Sequence, residues 1–402
     1  MIDRSRKIMQ PLEGVRVLEL SRFLAGPFCG LILAHLGAEV IKVELPGGEP
    51  TRKMLGPFYK EKSLWFSAFN SNKKGITLDW RSEEGKKILY NLVKKSDILI
   101  ENMVPGGLAK RTGLTIEALH KLNPSVVLVS VSGYGQFGPN KNRRAHDQTV
   151  QAEAGLMALQ GEPKGIPMKT GPAIGDFLAG YNAALGALAA VMRARQTGKG
   201  DHVDVALYDS IIGVLETHLT RYTRMGLVSP RIGNRSHITA PTNLFKTVDG
   251  YIMIIGADDY WIRLTKMLGK PELAEDPRFK SAKNRLANED ETEQIVKNFL
   301  NGLTTKEAVE QLEDAGIPVA PLRTLPEVAK DPQVRERKLI RRVKDSDGVS
   351  LDVPVVPINF LLTETKKYKA PPLVGEHNVE VYGELLKLSN DHIAELAERG
   401  II

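Results

Sequence analysis

The sequence predicts an α/β fold: a large domain on a doubly wound, Rossmann-like parallel sheet, and a smaller α+β domain. Three observations carry this. Five short β-type runs, VRVLEL, VIKVE, GITLD, DILIE and SVVLVS, precede Val131. Most are separated by a helical pattern, which marks β-α-β units. The composition then shifts after Met225 to a Gly/Pro/Arg loop followed mainly by amphipathic helices.

In chain order, Val15 to Leu20 reads as a strand, Phe28 to Leu36 as a buried helix ending at Gly37, and Val40 to Glu44 as the next strand. This β-α-β start lacks G-x-G-x-x-G in its first turn, so a dinucleotide-dehydrogenase reading is weak. Leu45 to Leu64 reads as a loop and Gly75 to Asp79 as a strand. Ser82 to Lys94 reads as a helix opened by a Ser-Glu-Glu cap signal. Asp97 to Glu101 and Ser125 to Ser130 are strands, with a helix over Thr115 to Leu122 between them. AHDQTVQAEAGLMAL reads as one helix, with Asp147 as an N-cap and His146 as a solvated or capping residue. Another helix is expected from Ser210 to about Met225.

Tyr251 to Ile255 is a strand, and DDYWIRLTKMLG, NEDETEQIVKNFLNG and TKEAVEQLEDAG are helical. Leu351 to Leu362 returns to β-type residues. The expected domains are 1–227 (large, N-terminal part), 228–325 (small) and 326–402 (a return to the large domain). Ligands of such sheets bind beyond the carboxyl ends of the strands. Three turns stand there: Ser21 to Pro27, Asn102 to Gly107, and the glycine-rich Ser132 to Pro139.

The totals narrow the function. The single Cys29 excludes an intramolecular disulfide, and no zinc-type Cys/His spacing occurs. The net charge of +7 is diffuse and aromatic content is only 6%. That argues against a nucleic-acid surface and suits a small phosphorylated ligand. The basic N-terminus lacks a signal-peptide run, and the apolar helix after Asp176 reads as too short and too rich in Ala and Gly to span a bilayer. A cytoplasmic protein with neither membrane nor nucleic acid as partner is expected.

One stretch stands out, TGPAIGDFLAGYNAALGALAAVMRARQTGKGDHVDVALYDS. Asp176 is the only charged side chain between Gly171 and Val191. A carboxylate at the head of an apolar helix is favoured by free N–H groups and the macrodipole. It reads either as an N-cap or as a nucleophile or base at the mouth of a site.

Several segments together resemble the family III CoA-transferases: PLEGVRVLELSRFLAGP, LGAEVIKVE, NKKGITLDW, LNPSVVLVSVSGYGQFGP, GDFLAGYNAALGALAAVMRARQTGKGDHVDVALYDS and PPLVGEHN. They span nearly the whole chain in order. The resemblance implies an interlocked homodimer, CoA thioesters and carboxylic acids as substrates, and no permanently bound cofactor or metal. It assigns Asp176 as nucleophile, a role for a carboxylate ionised at neutral pH. CoA contacts are implied at Phe23, Leu24, Leu78, Asp79, Trp80, Arg81, Asn102, Met103, Arg111, Arg144, His146 and Asp147. The loop Arg231 to Pro241, with Arg231, Gly233, Asn234 and Arg235, is the expected place of acceptor selection. The basic residues suit a dicarboxylate such as succinate. The related α-methylacyl-CoA racemases would instead use His146 and Asp176 as two bases. Gln151 to Gly155 and the AIGDFLAG context look more like the transferases. A catalytically silent acyl-CoA-binding protein would lack the nucleophile, and Asp176 is present.

Overall fold

The computed structural model describes residues 10–363 and 368–402; the basic residues 1–9 at the N-terminus lie outside them. The chain forms two compact units. The first takes the chain up to Ala154, then Thr170–Glu216 and Gln333–Ile402; the second takes Gly155–Lys169 and Thr217–Pro332. The expected small segment, 228–325, lies inside the second unit.

Six strands build the sheet of the first unit: β1 (Arg16–Glu19), β2 (Glu39–Glu44), β3 (Lys74–Thr77), β4 (Ile98–Glu101), β5 (Val127–Ser132) and β6 (His202–Ala206). Their order is β3-β2-β1-β4-β5-β6 and every pair is parallel. Val17, Leu18, Ile41, Ile76, Leu99, Ile100 and Val129 are buried, which is why these strands read as continuous apolar runs rather than alternating ones. The order reverses between β1 and β4. In sheets of this kind, ligands bind beyond the carboxyl ends of the strands at such a reversal.

The helices of this unit include α1 (Ala25–His35), α2 (Leu64–Asn70), α3 (Glu83–Val93), α4 (Gly107–Thr112), α5 (Ile116–Leu122), α6 (Asp147–Glu153), α7 (Ile174–Thr197) and α8 (Leu207–Ile212). Ser82 caps α3 as its sequence suggests, its Oγ accepting from Gly85 N at 3.0 Å. Other expectations need correction. The loop after β2 contains a short helix, Thr51–Met54, and a two-residue hairpin, and α2 follows it. The helix expected over AHDQTVQAEAGLMAL breaks at Gly155, which adopts a left-handed φ of 85°. The helix expected from Ser210 to Met225 is two: α8, and α9 (His218–Met225) in the second unit.

Helix α7 has 24 residues and is long and apolar enough to cross a membrane, against the expectation that it is too short. It packs on α1, β5 and β6. Its buried face, Gly175, Ala179, Gly180, Ala183, Ala184, Ala187, Ala190, Val191 and Ala194, has almost no side-chain bulk, so backbones approach closely. A Cβ on Gly180 would lie 2.9 Å from Ala25 O and 2.8 Å from the Phe28 ring.

Beneath α1 lies a buried ionic cluster. Glu19 pairs with Lys42 at 3.2 Å and with Lys73 at 2.8 Å, and Lys42 pairs with Glu49 at 2.7 Å. A Cβ on Gly30 would overlap Glu19 Oε2. Burial and the Glu19 charge push the Cys29 thiol pKa far up, which suits a core residue rather than a reactive one.

Strand β3 lies at the sheet edge, and its open side is covered by the return segment. His377 N donates to Gly75 O at 2.9 Å, Thr77 N donates to Asn378 Oδ1 at 2.9 Å, and the Tyr382 hydroxyl donates to Thr77 O at 2.6 Å. The same segment reaches His35. Val356 N donates to His35 Nδ1 at 3.3 Å, and Nε2 lies 3.0 Å from Ser71 Oγ. Burial, with the Lys73 charge, lowers the His35 pKa to about 4 from 6.5. The unfolded chain therefore protonates first as pH falls. Stability complete above pH 6.5 is expected to drop by roughly 3 kcal/mol as pH falls towards 4. Urea unfolding at both pH values checks this, and His35→Gln should lose less.

The second unit holds a three-stranded antiparallel sheet, β7 (Asn243–Lys246), β8 (Tyr251–Ile254) and β9 (Val319–Pro321), with β8 central. Strand β7 falls in a segment expected as loop. Its core gathers Phe245, Trp261, Phe279, Val296, Leu300 and Leu312. Buried Arg285 donates to Ala240 O at 2.6 Å and to Asp258 at 2.6 Å.

Candidate active site

Asp176 is the third residue of α7; the N-cap is Ala173. The capping reading therefore fails, and the carboxylate is left for another partner. The backbone N–H of Ala25, the first residue of α1, lies close enough to lower the Asp176 pKa. The Gly180 contact lets the two helices approach this closely, so the carboxylate sits in the first turn of one helix and against the head of another. Burial, then the charge of Asp147, push that pKa up to about 7, and the Ala25 N–H only partly opposes this. The expectation of a carboxylate fully ionised at neutral pH is corrected accordingly.

Asp147 is only 4% exposed. It does not cap its own helix, because His146 holds the N-cap position of α6. Its Oδ1 accepts from Gly175 N at 2.8 Å and its Oδ2 from Gln151 Nε2 at 2.7 Å. Gln151 Oε1 accepts in turn from Thr170 N at 3.0 Å. Asp147 thus satisfies one of the free donors at the head of α7, and Gln151 holds the segment entering it. The spacing of Asp147 and Gln151, one helical turn, was the sequence signal for this brace. His146 is exposed, and its backbone N–H donates to Thr149 Oγ1 at 3.0 Å.

The loop after β1 carries Phe23 and Leu24. Phe23 is 45% exposed and has a left-handed φ of 69°, an unfavourable conformation for an aromatic residue that marks functional loops. Leu24 is buried. Asn102, at the end of β4, is turned towards this loop. Its Oδ1 accepts from Arg22 N at 2.9 Å and its Nδ2 donates to Arg22 O at 2.6 Å. Its amide therefore joins the two loops that leave β1 and β4. Met103 is half-buried, with its N–H donating to Glu101 at 2.7 Å. Burial raises the Glu101 pKa to about 7.

At the end of β3, Leu78 and Trp80 are buried in the core. Asp79 and exposed Arg81 pair with each other at 2.7 Å. Arg111, in the last turn of α4, and Arg144 are exposed. Among the described residues neither makes an ion pair. In the glycine-rich turn, Gln136 N donates to Asp204 Oδ2 at 2.9 Å, and Phe137 is 79% exposed.

In the second unit, both arginines of the loop expected to select the acceptor have partners. Arg235 is bound by Glu293 at 2.9 Å, Asp290 at 2.6 Å and Glu289 at 3.2 Å. Arg231 donates to the Gly165 and Glu162 carbonyl oxygens at 2.7 and 3.4 Å. Arg235 is thus ion-paired, whereas Arg231 is held by carbonyl oxygens and makes no ion pair among the described residues. Sequence reasoning missed the Ala25 N–H and Arg22, because what each faces is set by a distant segment.

Residues 12–378 match the sequence profile of CoA-transferase family III. The succinyl-CoA–D-citramalate CoA-transferase of Chloroflexus aurantiacus is 37% identical, over 99% of this chain and 100% of its own. The succinate–glutarate CoA-transferase of Agrobacterium fabrum is 35% identical, over 93% and 96%. A CaiB/BaiF family protein from Brucella suis superposes with a TM-score of 0.82 at 35% identity, over 94% of this chain and 100% of that one.

Proposed function

The chain belongs to CoA-transferase family III and is an enzyme that transfers CoA; we propose that it moves CoA from succinyl-CoA to a second dicarboxylic acid through Asp176. Asp176 attacks the thioester carbonyl, forming an acyl-aspartyl anhydride and releasing the CoA thiolate. The thiolate attacks the aspartyl carbonyl, which frees the first acid and leaves an aspartyl-CoA thioester. The acceptor carboxylate attacks that thioester, giving a new anhydride and the thiolate again. The thiolate then takes the acceptor's acyl group and restores the Asp176 carboxylate. Each exchange joins an acid to an activated acyl group, so activation is kept.

The observation that carries this reading is the Asp176 carboxylate in the first turn of α7, close to the N–H of Ala25 at the start of α1. Free N–H groups there suit the oxyanions that form on the aspartyl carbonyl. A nucleophile with a pKa near 7 is also a moderate leaving group, which suits a carboxylate that must be displaced again. The names of two relatives, acting on succinyl-CoA and D-citramalate and on succinate and glutarate, support dicarboxylates.

The exposed apolar residues Tyr181, Leu185 and Met192 along α7 support a face covered by a second copy, and the working form proposed is the interlocked homodimer. Exposed Arg111 and Arg144, without ion-pair partners among the described residues, suit the phosphates of CoA. The enzyme is read as cytoplasmic, with no permanently bound cofactor and neither membrane nor nucleic acid as partner. Incubation with succinyl-CoA, hydroxylamine treatment and peptide mapping test the mechanism. Modification at Asp176, absent in Asp176→Asn, is expected. No adduct, with His146-dependent exchange of the α-proton, would overturn it in favour of racemisation.

A further inference from the structure

We propose that Arg22 binds a carboxylate of the acid substrate at the carboxyl ends of β1 and β4. The inference rests on the transferase reading for the identity of the acid.

Four observations converge on Arg22. It stands on the loop leaving β1, where the strand order reverses and ligands of such sheets are bound. Its backbone is gripped on both sides by the Asn102 amide, at 2.9 and 2.6 Å. The next residue, Phe23, is held at a φ of 69°, so this short turn has one enforced conformation rather than an adaptable one. The loop then runs directly into Ala25, whose N–H lies close to the Asp176 carboxylate. Arg22 is thus three residues from the group beside the nucleophile.

The guanidinium itself has no internal task. Arg22 is half-buried. Among the described residues its side chain makes no hydrogen bond or ion pair, and the Phe23 ring centroid lies 6.0 Å away. Of the half-buried arginines, Arg16, Arg52 and Arg235 are ion-paired, while Arg22, like Arg221 and Arg341, makes no ion pair among the described residues.

The surrounding charges give such a cation a purpose. The carboxylate of Asp147 lies beside Asp176, and that of Glu101 ends β4. A carboxylate approaching the aspartyl thioester enters a field of its own sign. A planar guanidinium on this loop would supply the counter-charge and fix the acid by two parallel hydrogen bonds. Lysine would supply only the first.

The test is steady-state kinetics of the full-length enzyme with succinyl-CoA and glutarate, comparing wild type, Arg22→Gln and Arg22→Lys. The KM for glutarate should rise about tenfold or more in Arg22→Gln, with the KM for succinyl-CoA unchanged, and Arg22→Lys should recover part of the loss. A rise in the succinyl-CoA KM with that of glutarate unmoved would assign Arg22 to CoA phosphate and overturn the proposal. Equal kinetics in all three would overturn it too. Thermal unfolding with and without succinate, without CoA, separates this from the transferase reading. Succinate should raise the Tm of the wild type and not of Arg22→Gln, even if no acid proves to accept CoA. A wild-type Tm indifferent to succinate would count against the carboxylate site.

Discussion

Asp176→Asn should reduce transfer by at least about a thousandfold and at the same time make the protein more stable above pH 7. Both effects come from one carboxylate. Burial and the Asp147 charge raise its pKa to about 7 from 3.8. A raised carboxyl favours the native state while it is protonated. That contribution is complete below pH 3.8 and is lost as pH rises through 7. At pH 8 the ionised carboxylate therefore destabilises the fold, by as much as about 4 kcal/mol. Asparagine is similar in shape and carries no charge, so it removes this burden together with the nucleophile. The wild-type kcat/KM should fall as pH drops below 7, because only the ionised fraction attacks. Thermal melts at pH 4 and pH 8 check the first half; the advantage of the variant should be small at pH 4 and large at pH 8. Equal Tm values at pH 8 would mean that the carboxylate carries no such burden.

Gly30→Ala is the second large effect, and it concerns folding. The new methyl group would overlap Glu19 Oε2, which is held by Lys73 at 2.8 Å inside the core. Glu19 also pairs with Lys42, and all three side chains are completely buried. None can swing out into water, so the methyl group displaces α1 or breaks an ion pair. Breaking a buried pair costs about 3–5 kcal/mol, because a charge is left without its partner. Gly171→Ala is the control, since a Cβ there meets nothing within 4 Å. Chemical denaturation should show a large loss for the first substitution and almost none for the second.

The parallel sheet was legible because its strands are buried on both faces, and a run such as DILIE admits no other reading of that length. The Ser82 cap was legible because the acceptor and the Gly85 donor lie within one turn. Position and chemistry parted where the partner is remote. Asp176 was visible as an isolated charge, but its choice between cap and nucleophile depends on Ala25 and Asp147, which arrive from other segments. Asp147 looked like the cap of α6 and instead serves the head of α7. Arg231 and Arg235 looked free because composition shows only their own loop. Their partners come from the Gly161–Gly165 turn and from the helix Glu289–Leu300. Helix α4 and strand β7 are short and sit in glycine- or proline-rich sequence, where local signals favour turns.

The cover over β3 has a consequence for how the protein is made. The strand emerges from the ribosome early, yet the residues that satisfy its outer N–H and C=O groups follow about 300 positions later. At the usual pace of translation that interval is roughly fifteen seconds to a minute. Throughout it, a nascent chain carries an unpaired, apolar sheet edge, the kind of surface on which neighbouring chains on a polysome pair wrongly. The return segment is therefore what closes the first unit against its own copies.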